Sequence, residues 1–202
     1  MKHIFVFFMT MPILLQGIAT YAAESVLIAK HQNWESRVIR DGNTTVFRAH
    51  TAYAQGNDYV VLTLDRNAAK CDSLRMKMNI VLPNPTDKAF ESPSLFGAMR
   101  VDEYPVRNIN YVVEANQGEQ IAIATVTNFD REASLFAEIV KGQAVRFQFS
   151  FDNENFYLRF SLLGSTAALT RTQDLCNQFT PRSDADYFQW NMTTREKSNL
   201  RY

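Results

Sequence analysis

Two neighbouring stretches of strict polar–apolar alternation constrain this chain more than any other feature. Residues 145–151 (VRFQFSF) alternate valine and three phenylalanines with arginine, glutamine and serine, and residues 156–163 (FYLRFSLL) repeat the pattern. A period of two residues is typical of a strand with one buried face. Because the polar residues 152–155 (DNEN) lie between the two stretches, we predict an antiparallel hairpin with a phenylalanine-rich inner face.

Shorter stretches with the same period run through the rest of the chain. We predict strands at 26–29, 34–40, 45–53, 59–65, 74–82, 106–114 and 120–127. Residues 41–43 (DGN) and 116–118 (NQG) supply turn residues between two of these pairs. Pro83 and Pro85 end one strand, and residues 85–94 are predicted to form a loop.

Two segments change to the helical period. In 131–141 apolar residues recur at helical spacing, with Asp130 as the N-cap and Gly142 as the stop. A second such stripe, 166–179, follows Ser165 as its cap. No internal repeat or linker divides the chain. We therefore predict a mainly β protein, a β-sandwich or open barrel of about eight or more short strands with two short helices in its C-terminal half.

The N-terminus is typical of a secretory signal peptide. Lys2 precedes the apolar run 4–15, and the small residues Thr20 and Ala22 fit cleavage after Ala22. The run is shorter than the roughly 17–25 residues of a membrane-spanning helix. We predict a signal peptide over 1–22, a single β-sandwich-like domain over 23–180 and a polar, flexible tail over 181–202. The mature protein is expected to be periplasmic or secreted, without an integral membrane segment.

The chain contains two cysteines, Cys71 and Cys176. An even count in an exported protein favours a disulfide, because oxidising compartments form and keep such bonds. The alternatives are a metal site, which would require more nearby ligands than the sequence provides, and a thiol nucleophile.

The composition of the chain and the motifs it lacks argue against several classes of function. Lys plus Arg and Asp plus Glu both number 21, so no nucleic-acid partner is expected. His31 and His50 belong to no metal-binding motif, and no Gly-x-Ser-x-Gly elbow or nucleotide-binding glycine motif occurs. A hydrolytic triad built on either histidine is the alternative. The adjacent Asp102 and Glu103 are expected to point to opposite faces of a strand. We predict no catalytic residue, no metal site and no cofactor.

The C-terminal segment 184–192 combines polar residues with the aromatic residues Tyr187, Phe188 and Trp190. Exposed aromatic side chains are common anchors of protein interfaces. These three residues are therefore candidate partner-binding residues. The alternative is that the tail folds back and its rings cover the edge of the β domain.

The order of features from Trp34 to Cys176 resembles the invasion-associated locus B family of exported Gram-negative proteins. The likeness lies in the early tryptophan, the run of strands, and the segments 135–147 (LFAEIVKGQAVRF) and 160–169 (FSLLGSTAAL). The resemblance implies a small periplasmic or surface β-sandwich without known catalysis, linked to interaction with host cells.

We therefore predict a non-enzymatic protein-binding module of the bacterial envelope, with a virulence, host-interaction or secretion/transfer-associated role. Its expected partner is another envelope or host protein. The alternative is a periplasmic inhibitor of a lysozyme-like or other envelope-directed hydrolase, for which residues 83–94 form the candidate inserting loop. A third hypothesis, an enzyme acting on glycans or peptidoglycan, requires two converging carboxylates, and the sequence offers no pair at a fitting spacing.

Overall fold

The computed structural model describes residues 23–55, 58–129, 133–151 and 154–179. The predicted signal peptide (1–22) and the predicted tail (181–202) lie outside them. Within the described residues the chain forms eleven strands and two helices. In chain order these are β1 (Glu24–His31), β2 (Trp34–Asp41), β3 (Thr44–Gln55), β4 (Asp58–Asn67), β5 (Lys70–Val81), β6 (Phe90–Glu91), β7 (Leu95–Val101), β8 (Arg107–Ala115), β9 (Ile121–Val126), α1 (Ala133–Lys141), β10 (Ala144–Phe151), β11 (Glu154–Ser161) and α2 (Ser165–Phe179).

The described strands belong to one antiparallel sheet. Its order is β1-β2-β3-β4-β5-β9-β8-β7-β10-β11, and β6 pairs with β8. The first five strands are joined as successive neighbours, as expected for alternating segments separated by short turns. Gly42, in the predicted turn between β2 and β3, has a φ of 54°, which glycine adopts at low cost. The mainly β class with two helices in the C-terminal half is confirmed.

The predicted hairpin of β10 and β11 lies at one end of the sheet and contributes a phenylalanine-rich part of the inner face. Phe147 lies opposite Leu158 in the ladder, and Phe147 and Phe160 are almost completely buried. The rings of Phe147 and Phe160 meet edge to face at 5.9 Å, and Tyr111 of β8 meets Phe149 at 4.8 Å. These rings supply much of the apolar area that the sheet removes from water, and their edge-to-face geometry adds to that stabilisation.

The sheet curls until its last strand lies against its beginning. The ring of Tyr53 on β3 lies 6.1 Å from that of Phe160 on β11. The backbone N–H of Asn33, in the β1–β2 turn, donates to the carbonyl of Leu163 just after β11, at 3.2 Å. The inner face thus becomes an enclosed core, in the manner of the predicted open barrel.

Helix α2 covers the inner side of the first strands. Its buried residues are Ser165, Ala168, Leu169, Thr172 and Cys176. The helix matches the predicted stripe over 166–179 and begins at the predicted cap. Helix α1 matches the predicted 131–141 from Ala133 onward, while the proposed cap Asp130 lies outside the described residues.

The predicted disulfide between Cys71 and Cys176 is present, with an S–S distance of 2.00 Å. It ties the last turns of α2 to the start of β5. Next to it, the buried side chain of Arg66 donates from Nη1 to the Cys71 carbonyl at 2.5 Å and lies over the ring of Phe136. Burial lowers the pKa of Arg66, against the opposing effect of Asp72. A disulfide of this kind fits an oxidising compartment.

Two strands were not predicted. The segment 85–94, predicted as a loop, contains the two-residue strand β6, and β7 follows at Leu95–Val101. β7 carries Gly97 at an inward position, so its apolar alternation is interrupted. A Cβ at Gly97 would lie 2.7 Å from the Gln148 carbonyl and 3.3 Å from the Tyr111 ring. Glycine is therefore required by the close approach of β10, a tertiary contact that the local sequence does not show.

Candidate functional site

The outer surface of β7, β10 and β11 carries the two most exposed aromatic side chains of the described residues. Phe96 is 73% exposed and Tyr157 is 67% exposed. Because the inner face holds every second residue of these strands, the residues between point outward. We call this surface the β7–β10–β11 face; it consists of Phe96, Ala98, Arg100, Arg146, Gln148, Tyr157 and Arg159.

Phe96 borders a shallow hollow on this face, and Tyr157 lies on the other side of β10. Tyr157 lies opposite Gln148, which lies opposite Ala98, and Phe96 stands two residues before Ala98 on β7. Strands are spaced by about 4.8 Å, so Tyr157 and Ala98 are separated by about 10 Å across β10. A cavity of about 200 Å³, lined by Phe96, Ala98, Gln148 and neighbouring residues, occupies the space beside Phe96. The rings are thus available to a ligand that rests on the sheet.

Three arginines form a row beside the aromatic residues. Arg159, Arg146 and Arg100 lie directly opposite one another on β11, β10 and β7. Glu103 accepts from Arg100 at 2.6 Å, whereas no carboxylate of the described residues pairs with Arg146 or Arg159. Like charges in directly opposite positions destabilise a sheet. An acidic ligand at this row would relieve that repulsion.

A groove of about 740 Å³ runs beside β11. It is lined by outward residues of the hairpin, including Arg146, Tyr157 and Arg159, and by the inward residue Leu158. Tyr53 of β3 borders it on the opposite side. Because residues of both faces of β11 line the groove, the groove follows the edge of that strand and joins the β7–β10–β11 face to an apolar wall.

A second polar cluster lies on the outer face of β2, β3 and β4. Arg48 forms a two-bonded ion pair with Asp65, both bonds at 2.7 Å. Arg37 donates to the carboxylate of Glu35 and lies 3.3 Å from Nε2 of His50. Every cation of this cluster has an acidic neighbour, which distinguishes the cluster from the arginine row on β10 and β11.

His50 is largely enclosed in that cluster. Arg37 donates to its Nε2, so Nε2 acts as the acceptor, and its Nδ1 is buried without a hydrogen-bond partner among the described residues. Burial lowers the pKa of His50, and the charge of Arg37 lowers it further, while Glu35 acts in the opposite direction. The neutral imidazole is therefore favoured.

His31, the other histidine considered for a hydrolytic triad, lies next to a serine. Nε2 of His31 lies 2.9 Å from Oγ of Ser36, and the same Oγ accepts from Nη1 of Arg171 at 3.1 Å. Ser36 has no exposed surface, and no carboxylate of the described residues pairs with His31. The contact joins the β1–β2 hairpin to α2, and a substrate cannot reach this hydroxyl in this conformation.

The adjacent carboxylates Asp102 and Glu103 lie in a turn after β7 and serve different partners. Both oxygens of Asp102 accept backbone N–H groups, from Gln143 at 2.8 Å and Ala144 at 2.9 Å. Glu103 pairs with Arg100. Asp102 thus fixes the start of β10, and the two groups do not converge on a common point.

The candidate partner-binding residues Tyr187, Phe188 and Trp190 lie outside the described residues. Sequence reasoning missed the β7–β10–β11 face for two reasons. The alternation of 145–151 and 156–163 already placed Arg146 and Arg159 outward, but only strand pairing shows that they are opposite each other. The third strand of the face, β7, was not predicted at all.

Groups of three or more His, Cys, Asp or Glu side chains able to hold a metal are absent from the described part of the chain. The same part contains no helix long and apolar enough to cross a membrane. No protein-family model, no curated protein and no solved structure matches the chain. The resemblance to the invasion-associated locus B family stays a prediction.

Proposed function

We propose that this protein is an exported or periplasmic, non-enzymatic protein-binding module of the bacterial envelope. In this proposal it binds another envelope or host protein on the β7–β10–β11 face. The observation that carries the proposal is the exposed pair Phe96 and Tyr157 beside Arg146 and Arg159, which have no carboxylate partner among the described residues. The partner is expected to present apolar side chains next to acidic ones.

The chemistry of the face supports this role. Tyr, Phe and Arg are enriched at the centres of protein interfaces, and aromatic and arginine side chains contribute much of the binding free energy there. Burial of apolar surface is non-directional and does not by itself select a partner. The arginine row favours acidic partners and increases the association rate at low salt. The disulfide and the predicted signal peptide support action outside the cytoplasm. The proposed host-interaction or virulence role follows from the family resemblance alone.

The test is affinity capture of the mature protein from the envelope fraction of its own host and from host-cell surface extracts. We expect the Phe96→Ser/Tyr157→Ser variant to lose the captured partner. Phe90→Ser, which removes a 46% exposed aromatic ring from β6, is the matched control and is expected to retain it. Capture should also weaken with salt and on changing Arg146 and Arg159 to Glu. Equal capture by all variants would contradict docking on this face.

One observation favours the inhibitor alternative. The segment 83–94 is held in its first half by Thr86, whose N–H donates to the Glu119 carbonyl at 3.0 Å and whose carbonyl accepts from the Gly118 N–H at 2.8 Å. Its hydroxyl also donates to the Asn116 carbonyl. A segment that is mostly exposed and anchored by hydrogen bonds suits insertion into an enzyme cleft, because anchoring reduces the conformational entropy lost on binding. Inhibition of a lysozyme-type hydrolase that is lost in Phe90→Ser and retained in Phe96→Ser/Tyr157→Ser would support this function instead.

A further inference from the structure

The groove beside β11 has the β1–β2 turn at one end. There the carbonyl of Ser161 accepts a hydrogen bond from the indole of Trp34 at 2.8 Å, and the carbonyl of Leu163 accepts one from the N–H of Asn33 at 3.2 Å. Both Ser161 and Leu163 line the groove. Tyr157, which lines it further along β11, is 67% exposed. The groove therefore follows β11 from a bonded end to an exposed one.

Apolar side chains line part of this groove. Tyr53 of β3 and Leu158 of β11 are partly buried, and both pack against the main core. Leu163, beside the β1–β2 turn, is 52% exposed. Covering such surface with an apolar ligand is favourable, because it removes hydrocarbon from water. This part of the groove suits a hydrocarbon chain.

Two arginine side chains line the outer part of the same groove. Arg146 and Arg159 lie directly opposite each other on β10 and β11, and both are exposed. Neither pairs with a carboxylate of the described residues. A guanidinium can donate two parallel hydrogen bonds to one carboxylate. An anion held between the two arginines would also offset the repulsion between them.

We propose that this groove binds a fatty acid, with its carboxylate between Arg146 and Arg159 and its hydrocarbon chain extending toward Leu163. Small-molecule sites combine apolar lining with a few polar groups that fix the orientation of the ligand, and they occur at the mouths of β-barrels. Their volumes are about 300–1,000 Å³, and that of the groove is about 740 Å³. The proposal goes beyond the proposed function and does not rest on it, since fatty-acid binding requires no protein partner.

The two parts of the groove together favour an amphiphile over simpler ligands. A small anion would leave Leu163 and Leu158 in water, whereas a neutral hydrocarbon would leave the two arginines without a counter-charge. Arg159 and Leu163 are four residues apart, a distance of up to about 14 Å. The twelve-carbon chain of dodecanoate is long enough to span this distance, so dodecanoate is the probe of choice.

The test is isothermal titration calorimetry of the full mature protein with dodecanoate below its micelle concentration. We expect saturable binding of one dodecanoate per protein. Acetate lacks the chain, and dodecyltrimethylammonium carries the opposite charge on the same chain. Each should bind at least about tenfold more weakly. Equal affinity for either control ligand, or no saturable binding of dodecanoate, would overturn the proposal.

Charge variants test the position of the carboxylate. Arg146→Gln/Arg159→Gln should weaken dodecanoate binding at least about tenfold. The matched control is Arg75→Gln/Lys88→Gln, which removes the same charge from two exposed positions outside the groove lining and should bind dodecanoate as the wild type does. Circular dichroism checks that both variants are folded. Equal affinities for the two variants would overturn binding of the carboxylate at the arginine pair.

A second pair of variants tests the position of the chain. Leu163→Ser should weaken dodecanoate binding by about three- to tenfold, because it removes half-exposed apolar surface that the chain covers. Ile121→Ser changes a 44% exposed residue of β9 outside the groove lining and should have no effect. Nuclear Overhauser effects from the ligand chain should reach the methyl groups of Leu158 and Leu163. Effects to Ile121 instead would overturn the site.

The outcomes for this site and for the proposed function are separable, because the titrations contain no protein partner. Loss of partner capture with intact dodecanoate binding would count against the proposed function alone. Partner capture without dodecanoate binding would count against the fatty-acid site alone.

Discussion

The indole Nε1 of Trp34 donates a hydrogen bond to the carbonyl of Ser161 at 2.8 Å, across 127 residues of sequence. Trp34 opens β2, close to one end of the sheet, and Ser161 ends β11 at the other. The curled sheet is therefore held closed at this point by a side chain, without a ladder between the two end strands in the described part of the chain. The indole itself is only 1% exposed, so the bond is shielded from water.

Trp34→Phe should lower the free energy of unfolding by about 1–3 kcal/mol, because it removes the donor and leaves the Ser161 carbonyl poorly satisfied. Urea unfolding followed by circular dichroism measures the change. Tyr157→Phe provides the control: this side chain is 67% exposed, and its change should have a much smaller effect. Equal midpoints for wild type and Trp34→Phe would show that the bond does not hold the sheet closed.

Gly164→Ala should be severely destabilising. Gly164, between β11 and α2, has a φ of 93°, and a Cβ there would lie 1.8 Å from the His31 carbonyl oxygen. Gly42→Ala is the matched control, with a φ of 54° and no atom within 4 Å of the added Cβ. Left-handed conformation alone costs about 1–2 kcal/mol in either variant. A melting temperature no lower for Gly164→Ala than for Gly42→Ala would contradict the close approach of the β1–β2 turn.

The Cys71→Ala/Cys176→Ala variant should lose up to about 4–5 kcal/mol of stability, because the bond closes a loop with a sequence separation of 105 residues. Calorimetry with and without reductant measures the loss. Reductant should lower the melting temperature of the wild type and leave the variant unchanged. A wild-type melting temperature that is the same with and without reductant would contradict the prediction.

His50 should make stability depend on pH. Its pKa in the folded protein is lowered, first by burial and then by Arg37, below the ordinary 6.5 of the unfolded chain. Between these two pKa values the unfolded state binds more protons than the folded state. The contribution of His50 to the free energy of unfolding is therefore complete above about pH 6.5 and is lost as the pH falls through the folded-state pKa. Urea unfolding from pH 8 to pH 5 should show a smaller decline for His50→Gln than for the wild type. Parallel declines would argue against a lowered pKa.

Arg146→Glu should stabilise the fold while weakening partner capture. The new carboxylate would lie opposite both Arg159 and Arg100, so repulsion becomes attraction, worth about 0.2–1 kcal/mol for each cross-strand pair. Lys88→Glu, an exposed change of the same charge in the segment 83–94, controls for net charge. Thermal unfolding at low and high salt measures the difference, which should shrink with salt. A loss of stability in Arg146→Glu would refute repulsion within the arginine row.

The sequence by itself determined which residues are buried in the hairpin of β10 and β11, the turn at Gly42, the helical stripe of α2 and the pairing of the two cysteines. Each follows from a local rule. Alternation with a period of two defines the faces of a strand, and a helical stripe defines the buried side of a helix. Because the chain contains only two cysteines, a disulfide within it has only one possible pairing.

Only the tertiary structure decided what the outer faces display. β7 is a strand that pairs with β8 and β10. The close approach of the Gln148 carbonyl and the Tyr111 ring requires glycine at position 97, a contact between segments distant in sequence. The row of Arg159, Arg146 and Arg100 exists because β7 and β11 flank β10, and local alternation carries no information about which strands are neighbours. Strand order depends on long-range packing and on the cost of closing loops, so a surface that spans three strands emerges only when the whole sheet is assembled.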